Sequence, residues 1–204
     1  AMKNINNEIL STYYGCGLTI PDCLNNCNVM DLGCGTGRDV YLLSQFVGEN
    51  GSVTGIDMTD EQINKAISYI DYHTKINKYS KTNVEFFKGY IEMIDDLNIE
   101  KKYDVIVSNC VLNLSPKKEE VLKQVFKHLK DGGEFYFSDV YSSQRIPLDL
   151  QQNSTLWGEC LSGALYWNDF INLAKKCGFS DPRLVSSNPI TIKNKEVEKL
   201  VKNI

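Results

Sequence analysis

Two sets of residues in this sequence have the types and spacing to carry chemistry, and the first is a run of alternating glycines. An apolar stretch ends in an acidic residue that is followed by three glycines: Asp31, Gly33, Gly35 and Gly37. Glycine permits positive φ and lets a ligand approach the backbone closely. The free N–H groups at a helix start favour polar or anionic ligand groups. The pattern therefore predicts a strand, a tight turn and a helix start that bind a nucleotide-like cofactor.

The glycine spacing narrows the class of cofactor. A dinucleotide fingerprint, G-x-G-x-x-G, would place its third glycine at position 38, which is Arg38, whereas the third glycine here is Gly37. The pattern D-x-G-x-G-x-G resembles motif I of S-adenosylmethionine-dependent methyltransferases. The alternative is a plain turn between a strand and a helix, in which the glycines serve only the backbone.

The second set consists of thiols that the predicted topology brings toward one edge of a sheet: Cys16, Cys110 and Cys160. A group of thiolates without histidine suits a soft, thiophilic ligand. Each cysteine taken alone is more often a small buried apolar residue, and that alternative stays open at this point. No C-x-x-C pair gives zinc spacing, and we expect His73 and His128 to be solvated helix residues.

The elements that must position these residues alternate between strands and helices. Strands are predicted at 29–32, 52–57, 83–89, 103–110 and 134–139, with a terminal pair at 183–187 and 190–193. This order predicts an α/β protein with a doubly wound sheet. The resemblance to methyltransferases in motif I further implies a Rossmann-like, seven-stranded methyltransferase sheet, mostly parallel with an antiparallel terminal strand. We further expect a capping box at the start of one helix, from Thr59 to Gln62. Ser115 and Pro116 are predicted to begin another helix, which Gly132 and Gly133 would end.

Ligands of open α/β sheets bind at the carboxyl ends of the strands. Asp57 ends the second strand, where a carboxylate can accept both ribose hydroxyls of a nucleoside. Asn109 and Cys110 end the fourth strand. Ile91 and Glu92 follow the third strand and are candidates to border an adenine, although an ordinary surface helix start explains them equally well.

Bulk composition excludes several classes of partner. The chain has 204 residues, of which 42% are hydrophobic and 24% charged, as in an ordinary globular protein of one domain or one domain with a small appendage. A net charge of -4 gives no case for binding nucleic acid or an anionic membrane. The sequence shows neither an apolar run of membrane-spanning length nor a signal peptide. The seven scattered cysteines indicate thiols of a cytoplasmic protein.

Seven stretches together resemble one family. They are YYGCGL (13–18), DLGCGTGRD (31–39), TGIDMT (54–59), VSNCVLNL (107–114), FSDVY (137–141), LWGECL (156–161) and GALYW (163–167). The family is that of the arsenite methyltransferases, and the resemblance covers nearly the whole chain. Motif I is shared by many methyltransferases, so the stretches that carry the three cysteines are the most specific.

The resemblance implies methyl transfer from S-adenosylmethionine to trivalent arsenic, which yields S-adenosylhomocysteine and serves arsenic detoxification. Cys16, Cys110 and Cys160 would bind arsenic(III) as thiolates and aim its lone pair at the sulfonium methyl, so that catalysis is mostly positioning. The resemblance also implies a set of cofactor-binding residues: Tyr14, Asp31, Gly33, Gly35, Gly37, Asp57, Met58, Ile91, Glu92 and Asn109. The implied substrate is a small molecule, arsenite or its glutathione conjugate, and a thiol reductant such as glutathione or thioredoxin is the co-substrate.

We expect a monomer in which residues 1–26 form an N-terminal lid and arsenic-binding segment and residues 27–204 form the methyltransferase domain. Ala1 before Met2 is typical of an artificial start, and the family's upstream cysteine and C-terminal domain are not in this sequence. Two alternatives stay open. One is a methyltransferase that acts on a small organic acceptor, and the other is a non-catalytic module that binds arsenic(III) or another soft metal through thiols.

Overall fold

A computed structural model of the chain describes residues 1–12, 15–158, 160–190 and 195–201. Its strands are β1 Asn28–Leu32, β2 Ser52–Asp57, β3 Val84–Lys88, β4 Tyr103–Asn109 and β5 Leu129–Ser138. Its α-helices are α1 Asn7–Leu10, α2 Arg38–Val47, α3 Asp60–Ser68, α4 Ile70–Ile76, α5 Lys118–His128, α6 Leu148–Gln151, α7 Ser154–Gly158, α8 Trp167–Lys176 and α9 Lys195–Val201. Short 3-10 turns lie at Met2–Asn4, Ile94–Leu97 and Leu112–Leu114.

The strands form one parallel sheet in the order β3-β2-β1-β4-β5. The chain leaves β1 toward β2 on one side and later returns to pair β4 on the other, so the strand order reverses at β1. This reversal is the switch point of a doubly wound sheet, where a crevice opens beyond the carboxyl ends of the strands. The fold is therefore Rossmann-like, as predicted.

Side chains on the two faces of the sheet enter separate cores. Val29 belongs to a core with Val40 and Leu43 of α2. Its neighbour Met30 belongs to the opposite core, which includes Leu122 of α5. Alternate residues of a strand point to opposite faces, so a strand that is covered by helices on both sides buries neighbouring residues on opposite faces. This explains the adjacent apolar residues Val29 and Met30, and the Asp31 that follows them is a buried polar exception.

The expectation of seven strands with an antiparallel terminal strand is wrong for the part of the chain that the structure describes. That part holds five strands, all parallel, and residues 183–187 form no strand. Their side chains are exposed, Val185 to 85%, so a strand here would bury no apolar face that could stabilise it. Pro182 and Pro189 flank the segment and lack backbone N–H donors. Residues 191–193 of the other predicted strand lie outside the described residues.

Two predicted helix starts are also corrected. Thr59 takes the N-cap position of α3, but its side chain makes no cap bond, and its own N–H donates to Asp57 Oδ1 at 2.9 Å. The predicted capping box is therefore absent from this start. Helix α5 begins at Lys118, because Ser115 Oγ accepts the N–H of Lys117 at 3.1 Å and holds the preceding turn open.

The end of α5 lies earlier than predicted. The helix ends at His128, and Gly132 and Gly133 are part of β5 rather than a helix stop. The register between β4 and β5 shifts from the Tyr103–Leu129 pair to the Val105–Glu134 pair, so the two glycines lie in the irregular part of the strand. Such an irregularity needs residues that tolerate unusual backbone angles, and Gly132 has a φ of 75°.

Both histidines are buried, which corrects the expectation of solvated helix residues. The exposed fractions of His73 and His128 are 2% and 5%. The His73 ring stacks on Tyr41 with centroids 3.6 Å apart. Its Nε2 accepts the N–H of Asn6 at 3.4 Å, and its Nδ1 lies 2.9 Å from the Tyr69 carbonyl oxygen. Because both ring nitrogens have partners, the neutral ring is satisfied in the interior and ties the N-terminal segment to α4.

Protonation of His73 should destabilise the fold. Burial lowers the pKa of His73 in the folded chain, whereas the unfolded ring titrates near about 6.5. The unfolded state therefore takes up a proton first as the pH falls, and stability is lost from the unfolded pKa down toward the folded pKa. We expect the contribution of His73 to the free energy of unfolding, taken as the difference between the parent chain and His73→Phe in urea denaturation, to fall between pH 7.5 and pH 5.5.

His73→Phe keeps a stacking ring without a titratable nitrogen, so its unfolding free energy should vary less over this pH range. His128→Phe removes the other histidine and serves as the matched control, which should keep the dependence due to His73. An equal pH dependence in His73→Phe and the parent chain would contradict the assignment.

Candidate active site

The glycine turn joins β1 to α2 and is left-handed at each of its three glycines. The φ values of Gly33, Gly35 and Gly37 are 69°, 53° and 85°. A Cβ at Gly33 would overlap the methyl groups of Val111, and one at Gly37 would lie 2.9 Å from Phe86 Cζ. A Cβ at Gly35 would meet nothing within 4 Å. Packing thus requires the first and third glycines, and the second faces open space from which a ligand can approach.

Asp57 braces this turn from the end of β2. Its Oδ2 accepts the N–H of Gly35 at 3.0 Å, and its Oδ1 accepts the N–H of Thr59 at 2.9 Å. A carboxylate has about four lone-pair sites, so acceptor capacity remains for hydroxyl groups of a ligand. Met58, the next residue, is 62% exposed beside the turn.

Three carboxyl groups surround the turn, and two of them, Asp39 and Asp57, act on the third, Asp31. Asp31 is 3% exposed, and its pKa is raised well above the usual value, first by burial and then by the charges of Asp39 and Asp57. Burial also raises the pKa of Asp39, while the hydrogen bond from Asn109 and the charge of Arg38 oppose that shift. A positive charge at the turn would favour the ionised forms of Asp31 and Asp39, so the site is suited to a cationic ligand.

Asn109 ends β4 and joins the turn to the N-terminal segment. Its Oδ1 accepts the backbone N–H groups of Cys16 at 3.1 Å and Gly17 at 3.3 Å. Its Nδ2 donates to the Gly17 carbonyl at 2.7 Å and to Asp39 Oδ2 at 3.1 Å. A Cβ at Gly17 would lie 2.9 Å from Ser138 Oγ, so the loop packs closely on the end of β5.

The three cysteines predicted as a group do come together. Cys16 and Cys110 form a disulfide with Cα atoms 5.7 Å apart, and Cys160 Sγ donates to the Cys110 carbonyl at 3.8 Å. The expectation that all cysteines are thiols is therefore wrong for Cys16 and Cys110 in this structure. The physical reason is that Asn109 holds the backbone of Cys16 beside its own neighbour, Cys110, within the reach of a disulfide.

The surroundings of Cys160 contain polar residues that the sequence analysis did not single out. The N–H of Cys160 donates to the Trp157 carbonyl at 3.0 Å, and Lys118 Nζ lies 5.8 Å from the centroid of that Trp ring. Asp139 accepts the N–H groups of Asn113 at 2.9 Å and Val140 at 2.8 Å. Burial raises the pKa of Asp139 to about 6, because the carboxylate loses solvation.

Two of the missed residues had signals in the sequence. Asp139 follows the carboxyl end of β5, so the rule that selected Asp57 would have selected it as well. Asp39 lies in the first turn of α2, where an acidic residue usually reads as a helix N-terminal charge. Its contact with Asn109 joins residues 70 positions apart and leaves no local pattern.

Three further predicted cofactor residues are Ile91, Glu92 and Tyr14. The side chain of Ile91 is buried in the core that also contains Leu32 and Ile56. Glu92 Oε1 accepts a hydrogen bond from Ser115 Oγ. Tyr14 lies outside the described residues. The roles of these three, like those of the other predicted cofactor residues, stay predictions.

Two kinds of feature are absent from the described residues, a membrane-spanning helix and a cluster of metal ligands. In those ranges no helix is long and apolar enough to cross a membrane. Over the same residues, no group of three or more His, Cys, Asp or Glu side chains is arranged to hold a metal ion. The cysteine site is consistent with that result, because two of its three sulfurs are bonded to each other.

Comparison with known proteins agrees with the fold and the motifs. The methyltransferase domain family matches residues 24–178. Arsenite methyltransferase from Homo sapiens is 51% identical over 202 residues, which are 98% of this chain and 54% of that protein. The enzyme of the same description from Rattus norvegicus is 50% identical over 202 residues, 98% of this chain and 55% of that protein. This chain thus spans about half the length of the curated relatives it matches.

A solved structure extends the likeness to three dimensions. The crystal structure of an arsenic(III) S-adenosylmethionine methyltransferase from Chlamydomonas reinhardtii superimposes with a TM-score of 0.95 at 43% identity. The match covers 100% of this chain and 68% of that chain. The chain therefore belongs to the methyltransferase domain family and, within it, to the arsenite methyltransferases.

Proposed function

We propose that this chain transfers the methyl group of S-adenosylmethionine to trivalent arsenic held by Cys16, Cys110 and Cys160. The observation that carries the proposal is that these three residues meet beside Asn109. The Asn109 side chain in turn donates a hydrogen bond to Asp39 at the glycine turn. A thiophilic acceptor and a cationic methyl donor would thus lie at one sheet edge. The likeness to arsenite methyltransferases supports the same assignment.

The residues around the turn fit S-adenosylmethionine. Gly35 leaves the space for a ligand, and Asp57 has lone pairs for ribose hydroxyls. Oδ1 of Asp39 is buried without a hydrogen-bond partner among the described residues, at 3.6 Å from Arg38 Nε. The proposed cofactor residues are Tyr14, Asp31, Gly33, Gly35, Gly37, Asp57, Met58, Ile91 and Glu92. When bound, the cofactor supplies an electrophilic methyl group on a positively charged sulfonium.

The cysteines act on the arsenic substrate. Reduction of the Cys16–Cys110 disulfide comes first: two external thiols, from glutathione or a thioredoxin, are oxidised to a disulfide as the two protein thiols form. Three protein thiols then displace three hydroxyls of arsenite, and three waters leave. The arsenic keeps its lone pair, which the protein aims at the methyl donor. Because that lone pair carries no proton, no general base is required, and catalysis consists mainly of positioning.

The N-terminal residues 1–26 are proposed as the lid and arsenic-binding segment over a methyltransferase domain of residues 27–204. Thr12 and Thr36 share a hydrogen bond of 2.8 Å, and Asn4 Nδ2 donates to Gln45 Oε1 at 3.0 Å. These contacts support a segment that lies across the glycine turn and α2. We further propose a cytoplasmic monomer that takes arsenite or its glutathione conjugate.

A methyl-transfer assay tests the activity directly. With labelled S-adenosylmethionine, arsenite and glutathione, we expect label in methylated arsenicals that chromatography separates from the donor. A panel of small organic acceptors, run alongside, should stay unlabelled. Label in an organic product alone would show that the acceptor is an organic molecule and not arsenic. Arsenic binding without any labelled product would favour a non-catalytic binding module.

Serine substitutions test the thiol site. Under reducing conditions, Cys16→Ser, Cys110→Ser and Cys160→Ser should each weaken arsenic(III) binding about tenfold or more, because each loses one sulfur ligand. Titration of arsenite against each variant, followed by calorimetry, gives the affinities. Cys23→Ser removes an exposed thiol elsewhere and should bind like the parent chain. Parental affinity in all three site variants would rule out this thiol site.

The cofactor site has its own test in Asp57→Ala. Loss of a carboxylate that braces Gly35 and accepts ribose hydroxyls should weaken S-adenosylhomocysteine binding about tenfold or more. Isothermal calorimetry measures the affinity, and thermal unfolding checks that the variant is folded. Asp71→Ala, an exposed position on α4, is the control. An unchanged dissociation constant in folded Asp57→Ala would show that this carboxylate does not hold the cofactor.

A further inference from the structure

The family resemblance assigns Asn109 to the cofactor, but the geometry points to a different role. We propose that Asn109 is a positioning residue that holds the Cys16 loop against the end of β4, and that Asp39 sets the orientation of its carboxamide. This inference rests on the proposed function in one respect: it explains how the proposed thiol site is assembled.

Four hydrogen bonds of the Asn109 side chain go to groups of the loop and of α2. Its oxygen accepts two backbone N–H groups, from Cys16 and Gly17, and its nitrogen donates to the Gly17 carbonyl and to Asp39. A carboxamide has two N–H donors and an oxygen with two lone pairs, which matches these four bonds. A ligand ammonium that used the Asn109 oxygen would therefore have to displace a loop N–H group.

Asp39 explains why the carboxamide takes this orientation. The buried Asp39 Oδ2 accepts from Asn109 Nδ2 at 3.1 Å, and an ionised carboxylate offers only acceptors. A flipped amide would place its oxygen against Asp39 and the Gly17 carbonyl, and its NH₂ group against two N–H donors. Four favourable contacts would become four unfavourable ones, so Asp39 and the Gly17 carbonyl together select one orientation.

The consequence concerns the thiols. We call the hydrogen bonds from the Cys16 and Gly17 N–H groups to Asn109 the clamp. Cys110 directly follows Asn109, so the residue that holds the Cys16 backbone is next to the residue that supplies the partner sulfur. Cys16 and Cys110 are 94 positions apart in sequence, and their Cα atoms are 5.7 Å apart in the structure. Without the clamp the loop would sample more positions, and the effective concentration of one thiol at the other would fall.

The thiol–disulfide equilibrium of this pair measures that effective concentration without arsenic or cofactor. In a glutathione redox buffer, one glutathione disulfide oxidises the two thiols to the Cys16–Cys110 disulfide and yields two glutathiones. Acid quenching, alkylation and peptide mass spectrometry give the oxidised fraction of this pair alone. We expect the equilibrium constant to fall about tenfold or more in Asn109→Ala, whereas affinity for S-adenosylhomocysteine stays within about threefold of the parent chain.

A pair of exchanged side chains separates positioning from simple loss of structure. Asn109→Asp places a carboxylate against Asp39 and the Gly17 carbonyl, so the equilibrium constant should fall. Adding Asp39→Asn to Asn109→Asp restores a donor facing an acceptor at equal total charge, and should recover part of the loss. Asn50→Ala and Asp71→Asn, both exposed, are the matched controls and should behave like the parent chain.

Two results would overturn the inference. One is an unchanged thiol equilibrium in Asn109→Ala together with weakened S-adenosylhomocysteine binding, which would make Asn109 a cofactor ligand. The other is a double variant no better than Asn109→Asp alone. If the parent chain fails to methylate arsenite while the equilibria shift as expected, the proposed function falls and the positioning role stands.

Discussion

The parallel pairing of β1 with β4 is the constraint on which the site depends. Leu32 pairs with Ser108, so the glycine turn that begins at Gly33 leaves the sheet beside Asn109. Val111, just after β4, packs where a side chain at Gly33 would have to lie. Parallel strands bring their carboxyl ends to one edge, and this pair brings the cofactor turn and a thiol-bearing loop to the same point on it.

Burial of carboxyl groups at this edge gives the site its electrostatic character. Asp57 is compensated by two backbone N–H groups, and Asp39 by the Asn109 amide. Burial and neighbouring negative charges raise the pKa of Asp31. Acidic groups that are close together around one turn repel one another and so do little for the stability of the fold. A cationic ligand would relieve that repulsion.

Much of the fold could be predicted from local pattern. The sequence patterns at β1, β2, β3 and β4 mark the strands, and their predicted bounds differ from the observed ones by one residue at most. The predicted strand at 183–187 is wrong, because these residues have the composition of a strand but no surface to cover. The prediction of solvated histidines is wrong because tertiary contacts bury a polar residue. His73 is polar in the sequence, yet Tyr41, Asn6 and Tyr69 surround it.

The sequence by itself determined the glycine turn, the acidic residue that ends β2 and the positions of the three cysteines, because backbone preference and periodicity are local properties. Only the tertiary structure decided that Asn109 contacts Cys16 across 93 positions and Asp39 across 70. It also decided that Cys16 and Cys110 are bonded. Such contacts depend on strand order and register, and these follow from packing the whole chain rather than from any stretch of it.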